Sequence, residues 1–334
     1  MKSKIGNLSR NCLLVALIVI LGVFSAIPAD SIVSAAPGTC EQCGQVALPA
    51  GSSGSAHPHP IMRLSAAQIQ AENELLKTAS VAYIDPVIME RMNAGGDTTA
   101  KSLLSLIQYT PSERDQWNCG NCWVWTGTAC LEAALKVQRN IKNRLSVQYL
   151  NSNYSGGTGS GWAGCGGGAG DFANYYNGTL HKAIPWSNTN AGWADANKGG
   201  CPDTTAMPAG SISTTPYYPI TSVAWALINT RTDQGVNQAT AITNIKNVLN
   251  QNKAIYLGFS LANNTMWSDF FSFWDGEPES TIWANGFSHG QTWVSGEGGS
   301  HAVTIVGFDD TPAGTANDYW IALNSWGTAS GGAP

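Results

Sequence analysis

Two cysteines three positions apart are the residues best suited to do chemistry. Cys119 and Cys122 enclose a Gly-Asn pair, and Gln116 precedes them. From Cys122 to about Asn140 there is no proline, and apolar residues recur at helical spacing, which predicts a helix beginning at or near Cys122. Backbone N–H groups and the helix dipole stabilise an anion at such a terminus. Cys122 is therefore a candidate thiolate nucleophile.

A cysteine nucleophile needs a base and a group that orients that base, and the last part of the chain supplies both types. Of the five histidines, His301 opens an apolar strand pattern, and a second strand pattern leads into Asn324. Two neighbouring strands joined by a loop bring these residues together. Alone, His301 fits a structural role equally well. Combined with the cysteine motif, we interpret Cys122, His301 and Asn324 as a catalytic set, with Gln116 as an oxyanion donor.

Several blocks of residues, in the right order, are similar to the papain-like cysteine peptidases. The blocks are Gln116-x-x-Cys119-Gly120-Asn121-Cys122-Trp123, Leu145-Ser146-x-Gln148, Cys165-Gly166-Gly167-Gly168, Ser300-His301-Ala302-Val303 and Asn324-Ser325-Trp326-Gly327. The similarity covers about residues 105–327. It implies an α+β, two-lobed fold with a helical lobe carrying the cysteine, a β-barrel-like lobe carrying the histidine and asparagine, and a cleft between them.

The resemblance also implies a role for each matched residue. Cys122 would attack a peptide carbonyl to form a thioester, His301 would protonate the leaving amine, and Asn324 would fix the imidazole ring. The oxyanion hole would combine Gln116 with the backbone N–H of Cys122. The resemblance further implies that substrate is bound by Gly120, Gly167, Gly168 and Trp326. Trp326 would also shield the His-Asn pair. Cys119 and Cys165 would form a disulfide.

The function that this implies is a cysteine-type peptidase, an endopeptidase, acting on protein or peptide substrates without a metal or cofactor. A non-catalytic protein on the same fold is one alternative, with its 13 Trp residues forming a surface for glycans or cell-wall polymers. Retention of all four catalytic residue types argues against it. Acyl transfer through the same thioester is a second alternative, which differs in whether water or an amine accepts the acyl group.

The N-terminus and the charge balance define where the protein acts. Residues 1–36 combine a basic start, an apolar run from Leu13 to Ile27 and small residues at 33–36, which predicts a cleaved secretory signal and a secreted or cell-envelope protein. An uncleaved anchor is the alternative, although the run is short for a membrane span.

The charge balance bears on the partners. With 17 basic and 22 acidic side chains, the chain has no basic field that would favour binding to nucleic acid. We expect a monomer without stable membrane anchoring.

The spacing of the motifs predicts the domain organisation. We assign 37–104 to a linker and short pro-region, in the style of prokaryotic members, and 105–334 to the peptidase domain. His301 follows Cys122 by 179 positions, against about 130–150 for the family, so insertions are expected within 186–240 and around 263–298. The resemblance also implies one more strand after Gly327, which this chain is expected to lack.

Hydrophobic periodicity predicts further helices and a strand, and the remaining cysteines are candidates for disulfides. Helices are predicted at 64–80, 86–92 and 240–251, and a strand at 254–261. Because export permits disulfides, Cys40 and Cys43 are expected to form a local bridge. Cys201 is a hypothetical partner for Cys130, since the usual second family disulfide has no clear counterpart.

Overall fold

The computed structural model has an α+β architecture in which a buried helix packs against a mixed sheet. It describes residues 15–23, 59–63, 66–96, 99–108, 114–117, 119–154, 166–195, 207–231, 234–276, 281–283, 291–311 and 318–327. Helices α1–α7 span Ala66–Thr78, Pro86–Asn93, Cys122–Arg139, Val147–Asn153, Ala169–Tyr175, Gln238–Asn250 and Asn264–Gly276. Strands β1–β8 span Val15–Val23, Ala100–Ser102, Lys182–Ala183, Tyr218–Pro219, Ser222–Leu227, Ile255–Leu261, Gly299–Asp309 and Tyr319–Leu323.

Helix α3 is the central element of the fold, and it begins at Cys122 as the sequence predicts. It ends where Asn140 adopts a left-handed conformation (φ 57°) and donates its backbone N–H to the Lys136 carbonyl oxygen. Asparagine tolerates this conformation better than most residues. The helix is buried on nearly every side along its first four turns, as expected of a helix enclosed by other layers.

The main sheet places its longest strand against α3. Its strand order is β2-β7-β6-β1-β5, and β8 pairs with β7. Strands β6 and β7 are antiparallel and buried along nearly their whole length, which explains why both are continuous apolar runs rather than alternating patterns. Within the described residues these strands form an open sheet and do not close into a barrel.

Strand β1 differs from the sequence-based expectation, because it lies inside the predicted secretory signal. Val15–Val23 lies between β5 and β6 and pairs in parallel with both. A short apolar run rich in Val and Ile suits a buried parallel strand as well as the core of a signal, and periodicity alone does not separate the two. Signal cleavage therefore stays a prediction.

The predicted pro-region is integrated with the rest of the fold. Helices α1 and α2 form where they were predicted, and the Asp85 side chain caps α2 by accepting the backbone N–H groups of Val87 and Ile88. Strand β2 pairs with β7, and the Leu103 N–H donates to the Val306 carbonyl oxygen at 2.7 Å. The chain before the cysteine motif thus contributes directly to the sheet. The boundary predicted at 104/105 stays a prediction.

Helix α7 was not predicted from the sequence, although it lies in the expected insertion around 263–298. The Asn263 side chain accepts the Met266 backbone N–H at 3.0 Å at its first turn. Trp267, Phe270 and Phe271 face inward and are buried. This helix brings an aromatic surface to the end of β7 and β8 where His301 and Asn324 lie.

Candidate active site

Cys122 lies at the first position of α3 and is fully buried. Burial raises the pKa of its thiol to about 12, and the backbone N–H groups of Ala302, Trp123 and Cys122 itself oppose that rise by donating toward the sulfur. The contact with Ala302 places the sulfur beside the start of β7, next to His301. In this covered state the thiol is protonated at neutral pH.

His301 and Asn324 meet across the antiparallel pair β7 and β8, as two neighbouring strands require. The His301 Nε2 atom lies 2.8 Å from the Asn324 Oδ1 atom. Because Oδ1 also accepts the Ser325 backbone N–H at 2.7 Å, it acts as an acceptor, and Nε2 must carry the proton. In a neutral ring Nδ1 is then the lone-pair nitrogen. Within the described part of the chain, that buried Nδ1 atom has no hydrogen-bond partner.

An aromatic cover holds the imidazole of His301 in a dry environment. The Trp326 ring stacks on it with a centroid distance of 4.2 Å and an interplanar angle of 25°, and the edge of Phe259 approaches at 5.7 Å. Burial lowers the pKa of His301 to about 3, the hydrogen bond to Asn324 opposes this, and nearby His59 lowers it further. The thiol and the imidazole are therefore both neutral in this conformation.

Gln116 is fully buried, and its amide is held in one orientation. Its Nε2 atom donates to the Cys119 carbonyl oxygen at 2.6 Å and lies 3.4 Å from the Pro60 carbonyl oxygen. The Ser325 hydroxyl donates to its Oε1 atom at 2.5 Å, so the amide cannot flip without losing that bond. Ser325 was not predicted to have this role, although it lies within the Asn324–Gly327 block.

A buried ion pair ties the cysteine segment to the central helix, and sequence reasoning missed it. Arg114 Nη2 lies 2.5 Å from Glu132 Oε2, and both side chains are almost fully buried. The other carboxylate oxygen of Glu132 accepts the Leu145 N–H at 2.8 Å, while the Arg114 carbonyl accepts the Gly327 N–H at 2.9 Å. Burial raises the pKa of Glu132, and the Arg114 charge opposes it. These contacts connect the two segments that carry Gln116 and Asn324.

The predicted substrate-binding glycines lie near Trp123, the residue after Cys122. A Cβ atom added at Gly167 would lie 2.8 Å from the Trp123 ring, so the close approach of the backbone to this ring requires glycine. Gly168 precedes α5 and donates its N–H to the Asp171 carboxylate at 2.8 Å. Gly120 is buried beside the cysteines. Trp326, expected to contact substrate, is 1% exposed and shields the imidazole.

The cysteine pairings stay predictions. Among the described residues, Cys119, Cys122 and Cys130 are buried and form no disulfide with one another, and the Cys130 sulfur lies 3.8 Å from the Ala254 carbonyl oxygen. The proposed partners Cys165 and Cys201, together with Cys40 and Cys43, lie outside the described residues.

Residues 59–63, here called the leader segment, cover this constellation. Met62 and Ser300 exchange two backbone hydrogen bonds of 2.8 and 2.9 Å, so the segment pairs with the chain immediately before His301. Ile61 is fully buried, and its side chain packs against Gly299. The nearby Pro60 carbonyl faces the Gln116 amide. The leader segment therefore lies over Gln116 and the start of β7.

Among the described residues, no cluster of three or more His, Cys, Asp or Glu side chains could hold a metal ion. No helix in that part of the chain is long and apolar enough to cross a bilayer.

Comparison with known proteins identifies the family. A family model described as papain family cysteine protease matches residues 107–333. Similar solved structures include xylellain, a cysteine protease from Xylella fastidiosa (16% identity, TM-score 0.44, 75% of this chain and 80% of that chain). Another is proCathepsin B S9 from Trypanosoma congolense (13% identity, TM-score 0.47, 75% and 73%). A comparison with curated proteins found no significant match. On the sequence match, which spans most of the chain, this protein belongs to the papain family of cysteine proteases and is a cysteine-type peptidase.

Proposed function

We propose that the protein hydrolyses peptide bonds through a Cys122–His301–Asn324 mechanism. The observation that carries the proposal is the 2.8 Å contact between His301 Nε2 and Asn324 Oδ1, which leaves Nδ1 as the proton acceptor of the ring. Once the cleft is open to water, the Cys122 proton can pass to Nδ1. The resulting thiolate and imidazolium stabilise each other, and the helix N-terminus favours the thiolate.

The reaction then proceeds in two halves. The Cys122 sulfur attacks the peptide carbonyl carbon, and the carbonyl oxygen becomes an oxyanion that accepts from the Gln116 amide and the Cys122 N–H. Collapse of this intermediate breaks the C–N bond, and the His301 imidazolium gives its proton to the leaving amine. Water, deprotonated by His301, attacks the thioester and releases the acid and the free thiol.

Asn324 and Ser325 act as positioning residues in this scheme. Asn324 holds Nε2, which keeps Nδ1 free to accept the thiol proton and stabilises the imidazolium that forms. The Ser325 hydroxyl holds the Gln116 carbonyl oxygen, so the NH₂ group of that amide faces the oxyanion. Trp326 keeps water away from the His–Asn hydrogen bond, which is stronger in a dry environment.

We further propose that the chain is made as a latent, exported enzyme. The leader segment lies over Gln116 and pairs with Ser300, so a substrate cannot reach the thiol until this segment moves or is cut. Export through residues 1–36 would deliver the latent form outside the cytoplasm, and the peptidase domain from 105 onward would act as a monomer.

The test is hydrolysis of a quenched-fluorescence peptide library by the full chain under reducing conditions. Cys122→Ala should abolish cleavage. Cys130→Ala, which removes another buried thiol of the same helix, should retain it. Cleavage that survives Cys122→Ala would refute the assignment, as would a wild-type chain that cleaves nothing after the leader segment has been removed by limited proteolysis.

A further inference from the structure

The His59 side chain of the leader segment fills a pocket beside the candidate catalytic histidine. Its ring centroid lies 4.9 Å from Trp326, nearly edge-on, and 5.2 Å from Phe271 on α7. The side chain is only 4% exposed. Two aromatic walls therefore enclose an imidazole that the sequence would place in a solvated linker.

A carboxylate closes the far end of this pocket. Asp275 lies in the last turn of α7, and its Oδ1 atom is 2.9 Å from His59 Nε2, a close polar contact without the alignment of a hydrogen bond. The Asp275 side chain is only 19% exposed. Oδ1 has no hydrogen-bond partner elsewhere in the described residues. A largely buried carboxylate without such a partner favours a cationic neighbour.

The walls of the pocket do not depend on the leader segment. Trp326 follows Asn324 and stacks on His301, while α7 packs on Trp326 through Phe270, Phe271 and Trp274. When the leader segment leaves, this frame remains with the Asp275 carboxylate at its end. The pocket adjoins the imidazole that protonates the leaving amine, so it lies on the leaving-group side of the scissile bond.

We propose that this pocket selects a basic side chain, Lys, Arg or His, on the leaving-group side of the substrate, and that Asp275 is the specificity-determining residue. This inference rests on the proposed peptidase function. The aromatic walls attract a cation through their π faces and cover its aliphatic stem, and the carboxylate forms a charge-assisted hydrogen bond with its head. An acidic side chain would meet an uncompensated like charge. His59 is the intramolecular occupant of the same pocket.

The first test maps cleavage sites in a proteome-derived peptide library, using the full chain after release of its leader segment. Basic residues should be enriched at one leaving-group-side position. Asp275→Asn should reduce kcat/KM for such peptides about tenfold or more, the usual effect of losing a hydrogen bond to a charged group, and should leave uncharged peptides unaffected. Asp269→Asn is the matched control, because this exposed carboxylate belongs to the same helix. Unchanged basic preference in Asp275→Asn would overturn the proposal while Cys122-dependent cleavage continued.

The second test measures cation binding in the pocket without relying on catalysis. The protein used is the full chain carrying His59→Ala and Cys122→Ala. The first substitution removes the His59 imidazole from the pocket, and the second prevents the protein from cleaving itself. Imidazolium and n-butylammonium should then raise the melting temperature, n-butanol should not, and adding Asp275→Asn should remove the shift. Equal shifts with and without Asp275→Asn would refute the cation pocket even if peptide hydrolysis proceeds as proposed.

Discussion

Weakening the leader segment should expose the thiol without altering the catalytic residues. Ile61 is fully buried, and a methyl group added at Gly299 would lie 2.6 Å from its Cδ1 atom. Ile61→Ala removes most of this contact. Truncation of a buried Ile to Ala costs about 2 kcal/mol or more, and about 2 kcal/mol corresponds to roughly a 30-fold change in an equilibrium. The population with an open cleft should rise by about that factor.

The assay is the rate of Cys122 alkylation by iodoacetamide, followed by peptide mass spectrometry. When opening is fast relative to alkylation, the observed rate is proportional to the open population. Ile61→Ala should therefore react about 30-fold faster than the wild-type chain. Val87→Ala, at a position 62% exposed on α2, is the matched control and should react at the wild-type rate.

The reasoning is refuted if Ile61→Ala reacts within a factor of two of wild type while near-ultraviolet circular dichroism shows an intact fold. Acceleration of Cys130 alkylation to the same extent would indicate general unfolding rather than release of the leader segment. Gly299→Ala provides a second route to the same state, since the added methyl group pushes against Ile61 from the cleft side.

Three further outcomes follow from the same structure. Asn324→Ala should lower kcat about 10- to 100-fold, because the imidazolium loses a charge-assisted hydrogen bond, and its pH–rate profile should shift toward lower pH on the His301 limb; an unchanged profile would argue against the positioning role. The pKa of His301 is lowered to about 3 in the folded chain, so the unfolded chain binds more protons between about pH 3 and 6.5. The free energy of unfolding should therefore fall as pH decreases through that window, more steeply in the wild type than in His301→Gln, and equal slopes in urea titrations would contradict this. Deleting residues 1–36 removes β1 from between β5 and β6, so the urea midpoint should decrease; an unchanged midpoint would show that β1 contributes nothing to the sheet and would favour a cleaved signal.

The elements that sequence analysis predicted are those whose signals are local. Helices α3 and α6 have helical apolar periodicity, and α3 begins at the cysteine because the breaker residues lie before it. Strands β7 and β8 are apolar runs separated by a turn signal, and their adjacency follows from chain connectivity. The proximity of His301 and Asn324 could therefore be predicted from the order of the strands alone.

The elements that were missed depend on tertiary context. The sequence of α7 carries aromatic residues over much of its surface, because it packs against both Trp326 and β6, so no single apolar stripe marks it. The Ser325–Gln116 and Arg114–Glu132 contacts join residues far apart in the chain, and each residue alone fits a solvated surface. The position of His59 over the cleft could not be predicted either, since His-Pro repeats are typical of linkers.

The measurement that tests the central claim most directly is mass spectrometry of an acid-quenched acyl-enzyme. The Ile61→Ala chain is mixed under reducing conditions with an activated ester of a short peptide. Because Cys119, Cys122 and Cys130 all lie on the tryptic peptide 115–136, fragmentation of that peptide locates the acyl mass, which should be on Cys122. Hydroxylamine should remove that mass, as expected of a thioester. No acyl adduct, or an adduct on Cys119 or Cys130 instead, would contradict the assignment of Cys122 as the nucleophile.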